Sequence, residues 1–219
     1  MGASIQMTTH TQMAGGGGFF GAIRRVAGGG SLFMTEYRAA GAAGEVTFAT
    51  KVLGHILPVS VDNGNEYLVH RHGFLCGTPK VQIGVGYQQS LGAGVFGGDG
   101  FRLQHIGGAG TAWIELSGEV LTKDLRADET LRVHPGHVGA LQRSVSFQMA
   151  CIPGITNMIF GGDDIFLAAL TGPGRVWLQS LPISKLAHAL MEYLPGGREQ
   201  RTEAGVVGGI VESILGGMK

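Results

Sequence analysis

A short glycine-led phrase occurs three times along the chain, as Gly29-Gly30-Ser31-Leu32-Phe33, Gly97-Gly98-Asp99-Gly100-Phe101 and Gly161-Gly162-Asp163-Asp164-Ile165-Phe166. A further glycine pair or near-pair follows each, and then an alternating apolar run. Gly107 and Gly110 precede Ala112-Trp113-Ile114-Glu115-Leu116, Gly172 and Gly174 precede Val176-Trp177-Leu178, and the first phrase, with two extra residues, precedes Gly44-Glu45-Val46-Thr47-Phe48. Starts at 29, 97 and 161 give spacings of 68 and then 64 residues. Such a period signals one supersecondary unit used repeatedly, and a unit that cannot bury its apolar face alone must stack on its neighbours. We expect an all-β body of three tandem repeats over residues 1–183, barrel-like in form, followed by a C-terminal helix and a glycine-rich apolar tail over 184–219.

Glycine makes up 40 of the 219 residues, but it falls between alternating segments and not in a collagen-like period. The glycines therefore mark turns and bulges, and Gly29, Gly30, Gly97, Gly98, Gly110, Gly161, Gly162 and Gly174 are the expected structural turn positions. Lys plus Arg and Asp plus Glu balance at 16 each, so no global field draws the chain to nucleic acid. The two cysteines, Cys76 and Cys151, are too few for a disulfide framework, and no signal peptide opens the chain. A reducing, cytoplasmic setting is expected. No apolar run reaches the 18 or so residues that span a bilayer, so any membrane contact is peripheral.

Between the phrases the sequence reads as strand, turn, strand. Leu57–Val61, the turn Asp62-Asn63-Gly64-Asn65 and Tyr67–His70 form one such stretch, because Asn-Gly supplies the positive φ angles of a tight hairpin. Val120–Leu125, Ala127-Asp128-Glu129 and Thr130–His134 repeat it. A second ribbon follows each: Phe74–Gly77 into Lys80–Val85, and Val138–Leu141 into Ser144–Met149. The first unit has only this second ribbon, at Met1–Met7, and lacks the strand pair that precedes it elsewhere. One sheet position is then unfilled, and an exposed edge is expected there.

Two segments leave the β pattern. In 15–26, Phe19, Ile23 and Val26 are spaced for one helical face, and Phe20, Arg24 and Arg25 stand beside them. From Ser184, Leu186, Ala187, Leu190, Met191 and Leu194 share a helical face that stops at Pro195-Gly196-Gly197. Beyond lie Val206, Val207, Ile210, Val211, Ile214 and Leu215, whose neighbours Gly205, Gly208 and Gly209 each cost a helix about 1 kcal/mol relative to Ala.

Histidines are the most site-like residues. His70 and His72 at i and i+2 would lie on one side of a strand, in the manner of metal-binding β-barrels of the cupin type, and His134 and His137 complete the set. A carboxylate a few residues on is missing, since Gly73-Phe74-Leu75-Cys76 follows. His70 and His134 also occupy matching places in their repeats, which suits an architectural role, so His70, His72 and His134 are metal candidates without an assigned metal. Asp99, Asp163 and Asp164 read as turn residues that bond their own backbone. Gly-x-Ser-x-Gly and a phosphate-cradling loop with Lys are both absent, and Gly84-x-Gly86 lacks the third glycine of a dinucleotide site. No cofactor is expected.

The Gly-Gly-x-x-Phe phrase, the Gly-x-Gly before a strand, and Gly172-Pro173-Gly174-Arg175-Val176-Trp177-Leu178-Gln179 together resemble the altered-inheritance-of-mitochondria 24 family over roughly Met1 to Ile183. The resemblance implies a shortened double-stranded β-helix, a fold compared with the tryptophan RNA-binding attenuation protein (TRAP-like), and self-association. For eukaryotic members it implies a role in organising the mitochondrial inner membrane, with no established catalysis. Family members usually begin with a strand ending in a turn like His134-Pro135-Gly136-His137, and this chain begins just after that point.

The expected function is a non-catalytic structural or interaction protein that self-associates, a trimer being the first expectation, and acts as a scaffold or at a membrane surface. Phe19, Phe20, Ile23, Arg24 and Arg25 are the candidate contact with a membrane or protein partner, rings below the headgroups and guanidiniums on phosphates. The alternative is a cupin-like ligand-binding or metal-dependent enzyme using His70 and His72. RNA binding would rest on fold analogy alone, and the strands carry no aromatic-basic stripe to support it.

Overall fold

The computed structural model describes residues 5–11, 33–89, 101–151, 166–191 and 193. In chain order the strands are β1 (Ile5–Thr11), β2 (Phe33–Ala39), β3 (Gly54–Val61), β4 (Tyr67–His70), β5 (Phe74–Gly77), β6 (Val81–Gln89), β7 (Phe101–Gly108), β8 (Gly110–Ser117), β9 (Val120–Leu125), β10 (Thr130–Val133), β11 (Val138–Gln142), β12 (Ser146–Cys151), β13 (Phe166–Thr171) and β14 (Gly174–Gln179). A 3₁₀ turn at Pro135–His137 precedes β11, and a helix α1 (Ile183–Met191) follows β14. The chain divides into two units, Met1–Leu181 and Pro182–Lys219. The described elements of the first are the fourteen strands and the 3₁₀ turn, and that of the second is the helix.

Every described pairing is antiparallel, in four sheets ordered β1-β2, β3-β8-β5, β10-β13-β12 and β6-β7-β4-β11-β14-β9. Each sheet has two ends, so the described strands do not close into a barrel, contrary to the barrel-like body expected from the repeats. The hairpin reading also changes. β3 does not pair with β4, nor β9 with β10; β3 pairs with β8 and β4 with β7 and β11. The turn between β3 and β4 makes one Asp62–Asn65 bridge, held by Asp62 Oδ1 accepting from Gly64 N at 2.8 Å and Asn65 N at 3.0 Å, and the chain then crosses into another sheet. Alternation reports which face of a strand is buried and not which strand lies beside it.

The pairings recur 64 residues along the chain. Val61 of β3 opposes Gly110 of β8, and Leu125 of β9 opposes Gly174 of β14. β5 meets β8 through a bulge between Phe74 and Cys76, and β11 meets β14 through a bulge between Val138 and Ala140. Tyr67 opposes Ile106, and Leu131 opposes Leu170. Residues 54–117 and 118–181 are thus two copies of one arrangement. They join where β4 of the first lies against β11 of the second, with Val69 opposite Ala140, Leu68 opposite Leu141 and Tyr67 opposite Gln142.

Two apolar clusters fill the body. Val59, Val61, Tyr67, Val69, Ile106, Ala112 and Ile114 of the first copy pack with Ala140 and Trp177 of the second. Leu125, Val138, Leu141, Val145, Ala168, Leu170 and Val176 of the second copy pack with Phe101 and Leu103 of the first. Phe101 stacks on Phe147 at 5.0 Å between ring centres, with Tyr87 4.6 Å from Phe147. Burial at about 25 cal/mol per Å² makes these clusters the main source of stability.

The first of the three sequence repeats is represented by β1 and β2, which pair from Ile5–Ala39 to Thr11–Phe33 as β6 does with β7 and β12 with β13. The alternating run Gly44–Phe48 forms no strand. β8 and β14 are each held on both sides, by β3 and β5 or by β9 and β11, whereas no described strand flanks 44–48.

Candidate functional site

Each copy carries a buried polar residue at the same place in its last strand, Glu115 in β8 and Gln179 in β14. Glu115 Oε2 accepts from Lys51 N at 3.2 Å, and Gln179 Oε1 accepts from Ser117 N at 3.1 Å. The chain entering each copy is therefore fastened by the same position. The backbone carbonyls of these two residues are each capped by an imidazole. His70 Nε2 lies 3.0 Å from Glu115 O, and His137 Nδ1 lies 2.8 Å from Gln179 O. A carbonyl only accepts, so each nitrogen carries its proton and the tautomers are fixed.

The candidate histidines are thereby placed. β4 ends at His70, Gly73 N returns to His70 O at 2.7 Å, and His72 falls in that turn instead of beside His70 on a strand face. His72 Nε2 accepts from Arg71 Nε at 2.8 Å. Burial pushes the His70 pKa down to about 4, against the opposing pull of its bond to Glu115 O, with the His72 and Lys51 charges adding to the depression. The ring is neutral at physiological pH. His134 caps the 3₁₀ turn, Nδ1 accepting from Gly136 N at 3.2 Å, and its ring meets that of His137 edge-on at 5.7 Å. Among the described residues no three His, Cys, Asp or Glu side chains are grouped to hold a metal ion. Cys76 is free, and burial pushes its thiol up, away from the reactive thiolate.

One polar cluster has no forewarning in the sequence. Glu66 Oε2 accepts from Arg143 Nη1 at 2.6 Å and lies 3.1 Å from His105 Nε2, across separations of 77 and 39 residues. The hydrogen bond from His105 holds the Glu66 carboxyl below its usual range, with Arg143 acting in the same direction. The cluster borders a hollow of about 260 Å³ over the junction of the copies, lined also by Asn63, Asn65, Gln142 and Ser144. Only spatial pairing of β4 with β7 and β11 brings these groups together.

The turn glycines Gly110 and Gly174 have φ of +131° and +144°. A Cβ there would strike Thr78 Oγ1 in the first copy and approach Ser144 Oγ at 2.5 Å in the second. Gly29, Gly30, Gly97, Gly98, Gly161 and Gly162 lie outside the described residues, as do Asp99, Asp163, Asp164, Phe19, Phe20, Ile23, Arg24, Arg25 and the segment 205–215.

A second recess is apolar. About 600 Å³ in volume, it is lined by Val120, Leu121, Val133, His134, His137 and Leu178 of the second copy. Beside it β10 pairs with β13 on one side, and among the described strands none pairs with its other side; β5 is likewise an end strand.

The pairings and the capped carbonyls define an antiparallel β protein whose polar side chains largely close its own backbone. Among the described residues no helix is long and apolar enough to cross a membrane. The chain belongs to the family described as Mitochondrial biogenesis AIM24, which it matches over residues 1–181, in keeping with the resemblance read from the sequence. It is 25% identical over 196 residues to an uncharacterized protein of Streptococcus pyogenes serotype M6, covering 86% of this chain and 77% of that protein. A crystal structure of a Streptococcus pyogenes protein shares its fold, with a TM-score of 0.64 at 22% identity over 88% of this chain and 85% of the other.

Proposed function

We propose that this protein is a non-catalytic, self-associating scaffold, built as a three-unit shortened double-stranded β-helix. One observation carries the reading: β5 and β10 occupy the ends of their sheets, where the equivalent strands β11 and β4 are paired. An unsatisfied edge beside apolar side chains is a template for another strand. His70, His134, His137 and the buried Glu115 and Gln179 support it from the other direction, since each is engaged in holding backbone.

Native mass spectrometry of protein purified without chelator tests this proposal. An oligomer at bare polypeptide mass is the expected result, and a monomer, or a stoichiometric metal adduct, contradicts it. Peripheral membrane contact through Phe19, Phe20, Ile23, Arg24 and Arg25 belongs to the same proposal. Phe19→Ser with Phe20→Ser is expected to abolish liposome co-sedimentation while oligomer size stays the same; loss of both would assign the rings to packing.

A further inference from the structure

We infer that copies of this chain join head to tail, β10 of one molecule adding to β5 of the next in the register that β4 and β11 adopt inside the molecule. This rests on the self-association proposed above and names the surface and the partner. The internal junction supplies the template. β4 and β10 are equivalent strands 64 residues apart, as are β5 and β11, yet among the described strands only β4 and β11 meet. What remain at the ends of their sheets are the two complementary halves of a junction the chain already makes once.

Transferring the register fixes which residues oppose each other. Val69 faces Ala140, Leu68 faces Leu141 and Tyr67 faces Gln142 within the chain. The same offset sets Val133 opposite Cys76 of the next molecule, Arg132 opposite Gly77 and Leu131 opposite Thr78. The side chains suit these positions. Val133, like Val69, turns toward apolar neighbours, and both Val133 and Leu131 already pack at the margin of the second cluster. Gly77 opposite Arg132 leaves room for the long side chain.

The exposed apolar surface is where such a partner would lie. Ala140 and Trp177 cover Val69 and Tyr67 in the first copy, with Trp177 5.9 Å from the Tyr67 ring. The counterparts of Ala140 and Trp177 in the first copy are Cys76, in β5, and Trp113, opposite it in β8. An incoming β5 edge would bring them over the recess at Val120, Leu121, Val133 and Leu178. Because one surface meets a different surface, the contact is heterologous and grows into a ring or a chain of molecules.

Disulfide trapping reads the register directly. Directly opposed antiparallel residues have Cα atoms about 4.5–5.5 Å apart, within the range a disulfide spans. In a Cys151→Ser background, Val133→Cys is expected to give disulfide-linked dimers and higher species under mild oxidation. Adding Cys76→Ser should remove them. Arg132→Cys should not crosslink, since its side chain points to the other face.

Oligomers in the mass spectrum without a Val133→Cys crosslink would overturn this edge pairing and leave self-association standing. A crosslink confined to single chains would overturn it as well, by showing that β10 and β5 meet within one molecule. A monomer at every concentration would remove both proposals. The unsubstituted chain gives a parallel test: maleimide labelling of Cys76 is expected to slow several-fold as protein concentration rises, and a rate independent of concentration contradicts the pairing.

Discussion

Residues 54–117 and 118–181 contain the same strands, paired in the same way, and differ in what covers them. Val69 is fully buried and its counterpart Val133 is not; Leu57 packs against the first cluster while its counterpart Leu121 is 63% exposed. The residue types are alike, so hydrophobicity does not make the difference. The first copy has the second lying against its β4 edge, and no described strand takes that place for the second copy. Burial in a repeat protein is a property of neighbouring units as much as of sequence.

The two copies are expected to differ most at their cores. Ile114, fully buried, and Leu178, half-buried, are counterparts. Ile114→Ala is expected to cost about 2–5 kcal/mol and Leu178→Ala less than about 2, because a partly exposed side chain loses less transfer energy and leaves no closed cavity. Urea denaturation of dilute protein measures both, and equal losses would mean that the second copy is covered after all.

Acid separates the copies next. His70 titrates near 6.5 in an unfolded chain and near 4 in the fold. Between those values the unfolded state holds the extra proton, so stability falls as pH drops from 6.5 and the loss is complete near pH 4, reaching about 3 kcal/mol. The charges facing this ring are those of His72 and Lys51. His70→Gln, which keeps a donor for Glu115 O, should flatten that part of the pH profile. An unchanged acid slope would place its origin elsewhere.

Smaller effects test the likeness of the copies. Gly110→Val and Gly174→Val each force a side chain into a positive-φ site and against Thr78 or Ser144, and should each cost about 1–3 kcal/mol in thermal or chemical melts. Thr78 Oγ1 accepts from Thr111 N at 3.1 Å, and its counterpart Gln142 Oε1 accepts from Arg175 N at 2.7 Å. Thr78→Ala and Gln142→Ala should each cost about 0.5–1.5 kcal/mol. A large disparity within either pair would show that the two copies do not share their fastening.

Strand positions were legible because alternation and turn chemistry are local. Tyr67–His70, Phe74–Gly77 and Val120–Leu125 are strands as the sequence predicts, and the expected Leu57–Val61 strand starts three residues earlier, at Gly54. Pairing was not legible. Asn63-Gly64 signals a turn, but the chain leaves it for a different sheet, where β3 pairs along its whole length with β8 and β4 is held on both sides by β7 and β11. The spacings of 68 and 64 residues announced three tandem units, and in the two that follow residue 54 the Thr78 and Gln142 pegs meet the same backbone amide, that of Thr111 and of Arg175. His70 and His72 do not share a strand face as expected, because β4 stops one residue after Val69 and puts His72 in a turn. The Glu66–His105–Arg143 cluster is assembled by long-range pairing alone, and nothing near any of the three residues in sequence points to the others.

In the pairing proposed above, the β10 edge of the second copy is covered by another molecule. Hydrogen–deuterium exchange of segment 130–133 at low and high protein concentration, with segment 67–70 as the internal reference, tests it most directly. We predict that 67–70 exchanges slowly throughout, while 130–133 exchanges faster in dilute protein and slows toward it as concentration rises. Exchange at 130–133 that is the same at every concentration would contradict the account.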